Sequence, residues 1–196
     1  MVDNNTLDFY AANAADYVEN GQDEPSSHLR AFAQLLPPQA KILELGTGSG
    51  RDAEFLLQRG FDVTPTDASA ELAAHAEARL NHPVRILAFD ALEDVSQYDA
   101  VWACACLLHA PASELTDDLS RIHRALKPGG LFVASFKAGN GEGRDSFGRY
   151  YNYPSADTLL AHYRDAASWA DLQLQSEVGS GYDNLPTQWL WVTARR

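Results

Sequence analysis

The chain has 196 residues, 45% hydrophobic and 21% charged, a composition that excludes a disordered segment and suits one soluble globular domain with a sizeable core. Acidic residues outnumber basic ones 27 to 15, giving a net charge of −12. A field of that sign repels phosphate backbones and anionic headgroups, which disfavours nucleic acid and membrane surfaces as partners and leaves cationic and neutral small molecules open. No apolar run reaches the roughly 20 residues of a membrane helix, and Met1–Thr6 lacks the basic start and apolar stretch of a signal peptide, so the cytoplasm is the expected compartment. Cys104 and Cys106 cannot make a disulfide framework or a complete structural zinc site; on a strand they would share a face, and they are expected to stay reduced. The histidines other than His109 are scattered without metal-ligand spacing, and no metal is expected.

Taken in order, Leu7–Asn20 reads as a helix with Tyr10, Ala14 and Tyr17 on one face. Ser27 is the expected cap of a second helix with an apolar stripe of Leu29, Phe32, Ala33 and Leu36, ended by Pro37-Pro38. Lys41–Leu45 is a short strand running into Gly46-Thr47-Gly48-Ser49-Gly50, and Asp52–Arg59 is a helix stopped at Gly60. Asp62–Thr66 is a strand ending at Asp67, with Pro65 hinting at an edge. A helix over Ala70–Leu80 and strands over Val84–Phe89 and Tyr98–Cys104 follow. Ser113 is expected to cap a helix carrying Leu115, Leu119, Ile122 and Leu126, and Lys127–Gly130 turns into the strand Leu131–Phe136. Strands alternating with helices imply a parallel sheet covered on both faces. The last two strands, around Leu172–Val178 and Gln188–Thr193, have no helix between them and should pair antiparallel. The fold class is therefore α/β: a Rossmann-like, doubly wound, seven-stranded sheet, mostly parallel with an antiparallel last strand. Residues 1–196 are expected to form one domain, with 1–38 as a helical lid and the Gly-, Arg- and Tyr-rich segment 139–154 covering the site.

In such a sheet, ligands bind beyond the carboxyl ends of the strands at the switch point. The candidates are the glycine loop, Asp67, Asp90-Ala91 and the stretch Ala105–His109. A dinucleotide fingerprint needs glycine at its first, third and sixth positions, but counted from Gly46 the sixth is Arg51. The carboxylate of Glu44 is a poor neighbour for a diphosphate and a good one for an ammonium group. No lysine follows the loop, so the Walker pattern fails as well.

Here the chain resembles the class I S-adenosylmethionine (SAM)-dependent methyltransferases. The resemblance rests on Glu44-Leu45-Gly46-Thr47-Gly48-Ser49-Gly50-Arg51-Asp52, Asp67, Asp90-Ala91, Leu107-Leu108-His109 and Leu126-Lys127-Pro128-Gly129-Gly130 in that order. Phe9-Tyr10-x-x-Asn13-Ala14-x-x-Tyr17 looks like the entry helix of small-molecule members, including the tellurite-resistance and quinone-pathway types. The resemblance implies SAM as cofactor and S-adenosylhomocysteine (SAH) as product. It implies that Gly46, Thr47, Gly48 and Gly50 form the cofactor loop, supported by Glu44, and that Asp67 and Ala68 meet the ribose. It also implies that Asp90 and Ala91 meet the adenine, that Ala105 lines the methionine end, and that Tyr10 and Tyr17 fold over the sulfonium.

Other roles are read from the residues. His109 is the candidate proton acceptor, and Arg144, Arg149 and Tyr151 are candidates for a basic and aromatic wall around a small-molecule acceptor. The activated sulfonium needs no protein nucleophile, so the expected task is in-line positioning in a dry site. An Asn/Asp-Pro-Pro-Tyr/Phe motif for nucleic-acid amino methylation is absent, Ala105-Cys106-Leu107-Leu108 standing in its place. The competing readings are a SAM-binding sensor or scaffold without catalysis and a nucleotide-binding oxidoreductase.

Overall fold

The structure, a computed structural model, describes residues 3–15, 24–181 and 185–196. Seven strands form the main sheet: β1 Lys41–Leu45, β2 Asp62–Asp67, β3 Arg85–Ile86, β4 Tyr98–Ala103, β5 Leu126–Lys137, β8 Asp171–Ser180 and β9 Pro186–Arg195. Their order across the sheet is β3-β2-β1-β4-β5-β9-β8. The pairs among β1 to β5 are parallel, and β9 is antiparallel to both β5 and β8. The strand order reverses between β1 and β4, which places the switch point at Gly46 and at the residues that follow β4.

Strand alternation divides the core. On one face Ile42, Ala100 and Trp102 pack with helices α2 (Ser27–Gln34) and α3 (Arg51–Leu57) through Leu29, Phe32, Ala53 and Leu56. On the other face Leu43, Leu45, Val101 and Ala103 meet α5 (Ala112–Ala125) and α6 (Ala156–Ala166) through Leu115, Leu119, Ile122, Leu159 and Tyr163. Each fully buried Leu or Ile in these layers contributes about 1.5–3 kcal/mol relative to exposure. Helix α4 (Ala70–Leu80) lies beside α3, where alanines at 73 and 76 permit close approach.

Several local expectations are corrected. Helix α1 covers Asn4–Ala12, capped by the Asp3 side chain accepting from Thr6 N. The latter part of the expected helix to Asn20, from residue 16 on, lies outside the described residues. Ser26, not Ser27, caps α2, accepting from Leu29 N. Pro111, with an extended ψ of 139°, stands at the cap position of α5 without a side-chain cap, and Ser113 lies inside the helix. The expected strand Val84–Phe89 shrinks to Arg85–Ile86, and Phe89–Ala91 winds into a 3₁₀ turn. The short β3 pairs only with Thr66 and Asp67, so β2 has no partner on that side at Pro65. The segment 139–154 contains an antiparallel hairpin of β6 (Gly141–Arg144) and β7 (Tyr150–Tyr153), and α6 follows it.

Cys104 and Cys106 do not share a face. Ala105 between them is left-handed, φ +50°, which turns Cys104 toward the α2/α3 side and Cys106 into the α5/α6 core. Both are free cysteines, and burial pushes both thiols up.

Gly46 is left-handed, φ +66°, and a Cβ there would collide with Cys106. Gly46→Ala should lower the unfolding free energy by about 2 kcal/mol or more, from left-handed strain plus overpacking. Gly60 is also left-handed, φ +80°, and a methyl added there would meet nothing within 4 Å. Gly60→Ala should therefore cost only about 1 kcal/mol. Urea unfolding of both variants tests the contact, and equal losses would show that it contributes nothing.

Candidate functional site

Two adjoining chambers open at the switch point and share Gly46, Gly48, Cys104 and Ala105 in their walls. The larger, about 380 Å³, is bounded by Glu44, Thr47, Arg51, Asp52, Trp102 and the N-terminal side of α2 at Pro25-Ser26. The smaller, about 80 Å³, lies under α1 and is lined by Thr6, Leu7, Tyr10, Asp67, Ala68, Leu72, Phe89 and His109.

Each wall follows from local structure. Glu44 points to the same face as Ile42, and its register partner on β4 is Trp102. It is 2% exposed and accepts from Thr47 Oγ1 at 2.5 Å. Burial and then the nearby Asp52 push its carboxyl up to about 8. Asp52, on the first turn of α3, accepts from Trp102 Nε1 at 2.7 Å, and burial raises its carboxyl too. At the end of β2, Asp67 uses both oxygens: Oδ2 accepts from Gly48 N and Oδ1 from Ser69 N, each at 2.9 Å. Burial outweighs these donors and raises its carboxyl. The Ala68 N–H donates to this carboxylate as well, so three of its acceptor sites are taken and one is left for a ligand in the small chamber.

His109 is buried, and its Nδ1 lies 2.7 Å from the carbonyl of Tyr150. A carbonyl only accepts, so the proton is on Nδ1 and Nε2 accepts from the Tyr10 hydroxyl at 3.0 Å. Burial, with Arg149 and Lys137 adding repulsion, pushes the ring down to about 4. Arg149 is 2% exposed; its Nε and Nη2 donate to Asp145 and its Nη1 donates to the Tyr10 hydroxyl at 3.1 Å. Arg144 donates through both Nη atoms to Asp3, at 2.9 and 2.8 Å. The Tyr150 N–H donates to Thr6 Oγ1 at 2.8 Å. Helix α1 and the β6–β7 hairpin are thus clipped directly to each other, and the space lies beneath α1 rather than between them.

The structure therefore brings Glu44, Gly46, Thr47, Gly48, Asp67, Ala68, Ala105, Tyr10 and His109 to the chamber walls. Gly50 does not line either chamber; a Cβ there would lie 3.2 Å from Ala76 of α4, so this glycine serves helix packing. Asp90 and Ala91 are exposed on the 3₁₀ turn, and Phe89 is the member of that turn on the wall. Tyr17 lies outside the described residues. Arg144, Arg149 and Tyr151 are not on the walls; Tyr151 stacks on Tyr153 and contacts the His109 ring. Asp52, Trp102 and Phe89 carried no role in the sequence reading. Strand alternation pairs Glu44 with Trp102, but nothing in the spacing announces that the indole meets Asp52. Among the described residues no group of three His, Cys, Asp or Glu side chains could hold a metal, and no helix is long and apolar enough to cross a membrane.

Residues 42–130 match the family model of a methyltransferase domain. An uncharacterized methyltransferase of Synechocystis is 34% identical over 117 residues, covering 58% of this chain and 54% of its own length. An 18S rRNA (guanine-N7) methyltransferase of Saccharomyces cerevisiae is 32% identical over 124 residues, 55% of this chain and 44% of its own. The chain spans about half the length of these two relatives. Among solved structures, the 1,6-didemethyltoxoflavin-N1-methyltransferase of Burkholderia thailandensis, with bound 1,6-didemethyltoxoflavin and SAH, superposes with a TM-score of 0.66 at 24% identity, covering 97% of this chain and 90% of that one.

The buried, neutral His109 makes a pH prediction. Its folded value of about 4 lies below the ordinary 6.5, so between these values the unfolded chain binds a proton that the folded one does not. Stability from this group is complete above pH 6.5 and is lost as pH falls toward 4, by at most about 3 kcal/mol. The difference in unfolding free energy between wild type and His109→Gln should shrink over that window, and a flat difference would contradict it.

The sequence match and the topology agree: residues 42–130 match the model of a methyltransferase domain, and the chain has the class I, Rossmann-like fold of the SAM-dependent methyltransferases.

Proposed function

We propose that the chain transfers a methyl group from SAM to a small molecule, releasing SAH. The observation that carries this reading is Asp67, whose carboxylate is aimed into the chamber at the switch point by the backbone N–H groups of Gly48 and Ser69. A carboxylate so held suits a vicinal diol better than a diphosphate, and the missing sixth-position glycine weighs against a dinucleotide. Gly46 and Gly48 leave the loop without side chains where a ligand's backbone would lie, and Ala68 and Ala105 extend that wall. Phe89, rather than Asp90 or Ala91, is then the member of its turn that meets the base.

SAM would supply an activated methyl group, so the residues here need only bind, orient and exclude water. Tyr10 covers the small chamber, with its phenol fixed from two sides by Arg149 and His109. His109 is proposed as a positioning group for Tyr10: its Nε2 is occupied by the phenol, and Arg149 and Lys137 oppose a second cation there. Arg149 serves the same end from inside the hairpin, and Tyr151 backs the His109 ring.

A small acceptor is favoured by three facts. The charge of −12 opposes approach of an extended polyanion, and the two arginines considered for anion binding are engaged with Asp3 and Asp145. A small heterocyclic ligand occupies the Burkholderia enzyme, which matches nearly the whole chain. Cytoplasmic residence fits this reading.

Calorimetry with SAM, SAH and NAD tests it. Binding of SAM and SAH at micromolar levels, with none for NAD, is expected. Asp67→Asn should weaken SAM at least tenfold, because charge-assisted bonds are worth roughly 1.5–3 kcal/mol each. The asparagine keeps one acceptor for the Gly48 N–H, so the loop should hold. Tight NAD binding without SAM binding would overturn the reading.

A further inference from the structure

We propose that Ser135 is a positioning residue for the methyl donor: its hydroxyl holds the loop after β4 in the form that makes the wall shared by the two chambers. The inference rests on the SAM reading above and concerns how this chain shapes that wall.

Ser135 interrupts the pattern of its strand. On β5, Leu131 and Val133 face α2 and α3, and Ser135 follows them on that face with Trp191 as its register partner on β9. An apolar side chain would continue the stripe, and a hydroxyl enclosed there is costly unless it is hydrogen-bonded. Ser135 is fully buried. Its side-chain hydrogen bonds to described residues both go to the loop after β4: Oγ accepts from Ala105 N at 2.8 Å and donates to Cys104 Sγ at 3.8 Å. The apolar face gains nothing from this hydroxyl, and the loop gains both bonds.

The loop needs such a partner. β4 pairs with β5 as far as Ala103 and Ala134 and then leaves the ladder, so the Ser135 side chain receives the Ala105 N–H where backbone pairing has ended. Ala105 is left-handed, φ +50°, a conformation that a residue with a Cβ adopts only when its surroundings hold it there. Cys104 and Ala105 line both chambers, so a ligand that spans the two must pass this wall. With its nucleoside end at Asp67, SAM carries its sulfonium on the outermost carbon of the ribose, and the reacting methyl lies in the part of the ligand that the wall guides. In-line transfer depends on the direction of that methyl–sulfur bond, and a wall free to change its turn would no longer fix it.

Amide exchange followed by NMR without ligand, and calorimetry with SAH and adenosine, test the proposal. In wild type the amide of Ala105, an exposed residue, should be protected, and free exchange there overturns the proposal without any variant. Ser135→Ala should speed that exchange about tenfold or more and leave the Val133 amide unchanged. The same variant should bind SAH about tenfold more weakly, because the ligand itself must then bring the loop back to its left-handed turn. Adenosine, which ends before the sulfur, should lose less than about twofold. Glycine takes a positive φ without strain, so in an Ala105→Gly background Ser135→Ala should weaken SAH by less than about threefold. An unchanged SAH affinity in Ser135→Ala overturns the proposal, as does equal weakening of SAH and adenosine, or an equal SAH loss in the Ala105→Gly background. Wild type that binds neither ligand overturns the cofactor reading and the proposal with it, whereas tight SAH binding by wild type and Ser135→Ala alike overturns the proposal and leaves the cofactor reading standing.

Discussion

The loops after β1 and β4 leave the sheet toward opposite faces, and the floor between them is set by the approach of Gly46 to Cys106. No L-residue with a side chain fits at 46, because the backbone is left-handed and the space beyond Cα is occupied. The partner loop carries its own strain in the left-handed Ala105, whose N–H is held by Ser135 Oγ at 2.8 Å. Left-handed conformation at a residue with a Cβ costs of order 1–2 kcal/mol. Here it reverses the pleat, so that Cys104 faces the larger chamber while Cys106 plugs the core beneath the glycine loop. The two chambers share a wall because these two loops touch.

The other side of the site is made by elements distant in sequence that satisfy one another's charges. Asp3 meets Arg144, Arg149 meets Asp145 and Tyr10, and Tyr150 N–H meets Thr6. The Asp3–Arg144 pair is half exposed and contributes little by itself. The Arg149 cluster is different, since its guanidinium is enclosed by Asp145 and the rings of Phe9, Tyr10, Phe147 and Tyr151. Removing its partner would leave a buried charge uncompensated, so the hairpin holds Tyr10 at the chamber with a rigidity that the exposed pair could not give.

This division explains what was legible in the sequence. The seven sheet strands, their order of connection and the acids at their ends follow from period-two patterning and turn residues within short windows. Glu44, Asp67, the glycine loop and Ala105 could be placed because strand ends alone locate them. The hairpin partners could not, because Arg144 and Arg149 look like spare cations until Asp3 and Asp145 are brought beside them by the tertiary fold. Gly50 is a similar case: as the third glycine of the motif it reads as part of a ligand loop, yet Ala76 and Leu80 of α4 occupy the space beside it. The close helix packing that a dinucleotide fold obtains from its sixth-position glycine is obtained here one residue earlier. Helix α6 and the β6–β7 hairpin were missed because their sequences carry neither a clean stripe nor a tight-turn signal.

The buried acids Glu44 and Asp67, with the half-buried Asp52, would make the site costly if all were ionised in the empty chain. Burial raises all three, and Glu44 at about 8 holds its proton at neutral pH. The folded state thereby avoids the penalty of enclosing unpaired charge. The balance of Glu44 with pH is opposite in sign to that of His109. Glu44 is protonated when folded and ionised when unfolded between 4.5 and about 8, so its contribution is complete below 4.5 and fades as pH rises to 8. A cation entering the larger chamber reverses the preference, because its field favours the carboxylate. Part of its attraction is then used in releasing the Glu44 proton, and the remainder is selective, since a neutral ligand of the same shape gains nothing from that charge. On the hairpin side, burial, with repulsion from Arg149 and Lys137 added to it, keeps His109 neutral. The larger chamber thus presents latent negative charge, and a ligand carrying a cation is drawn to it before any specific hydrogen bond is made.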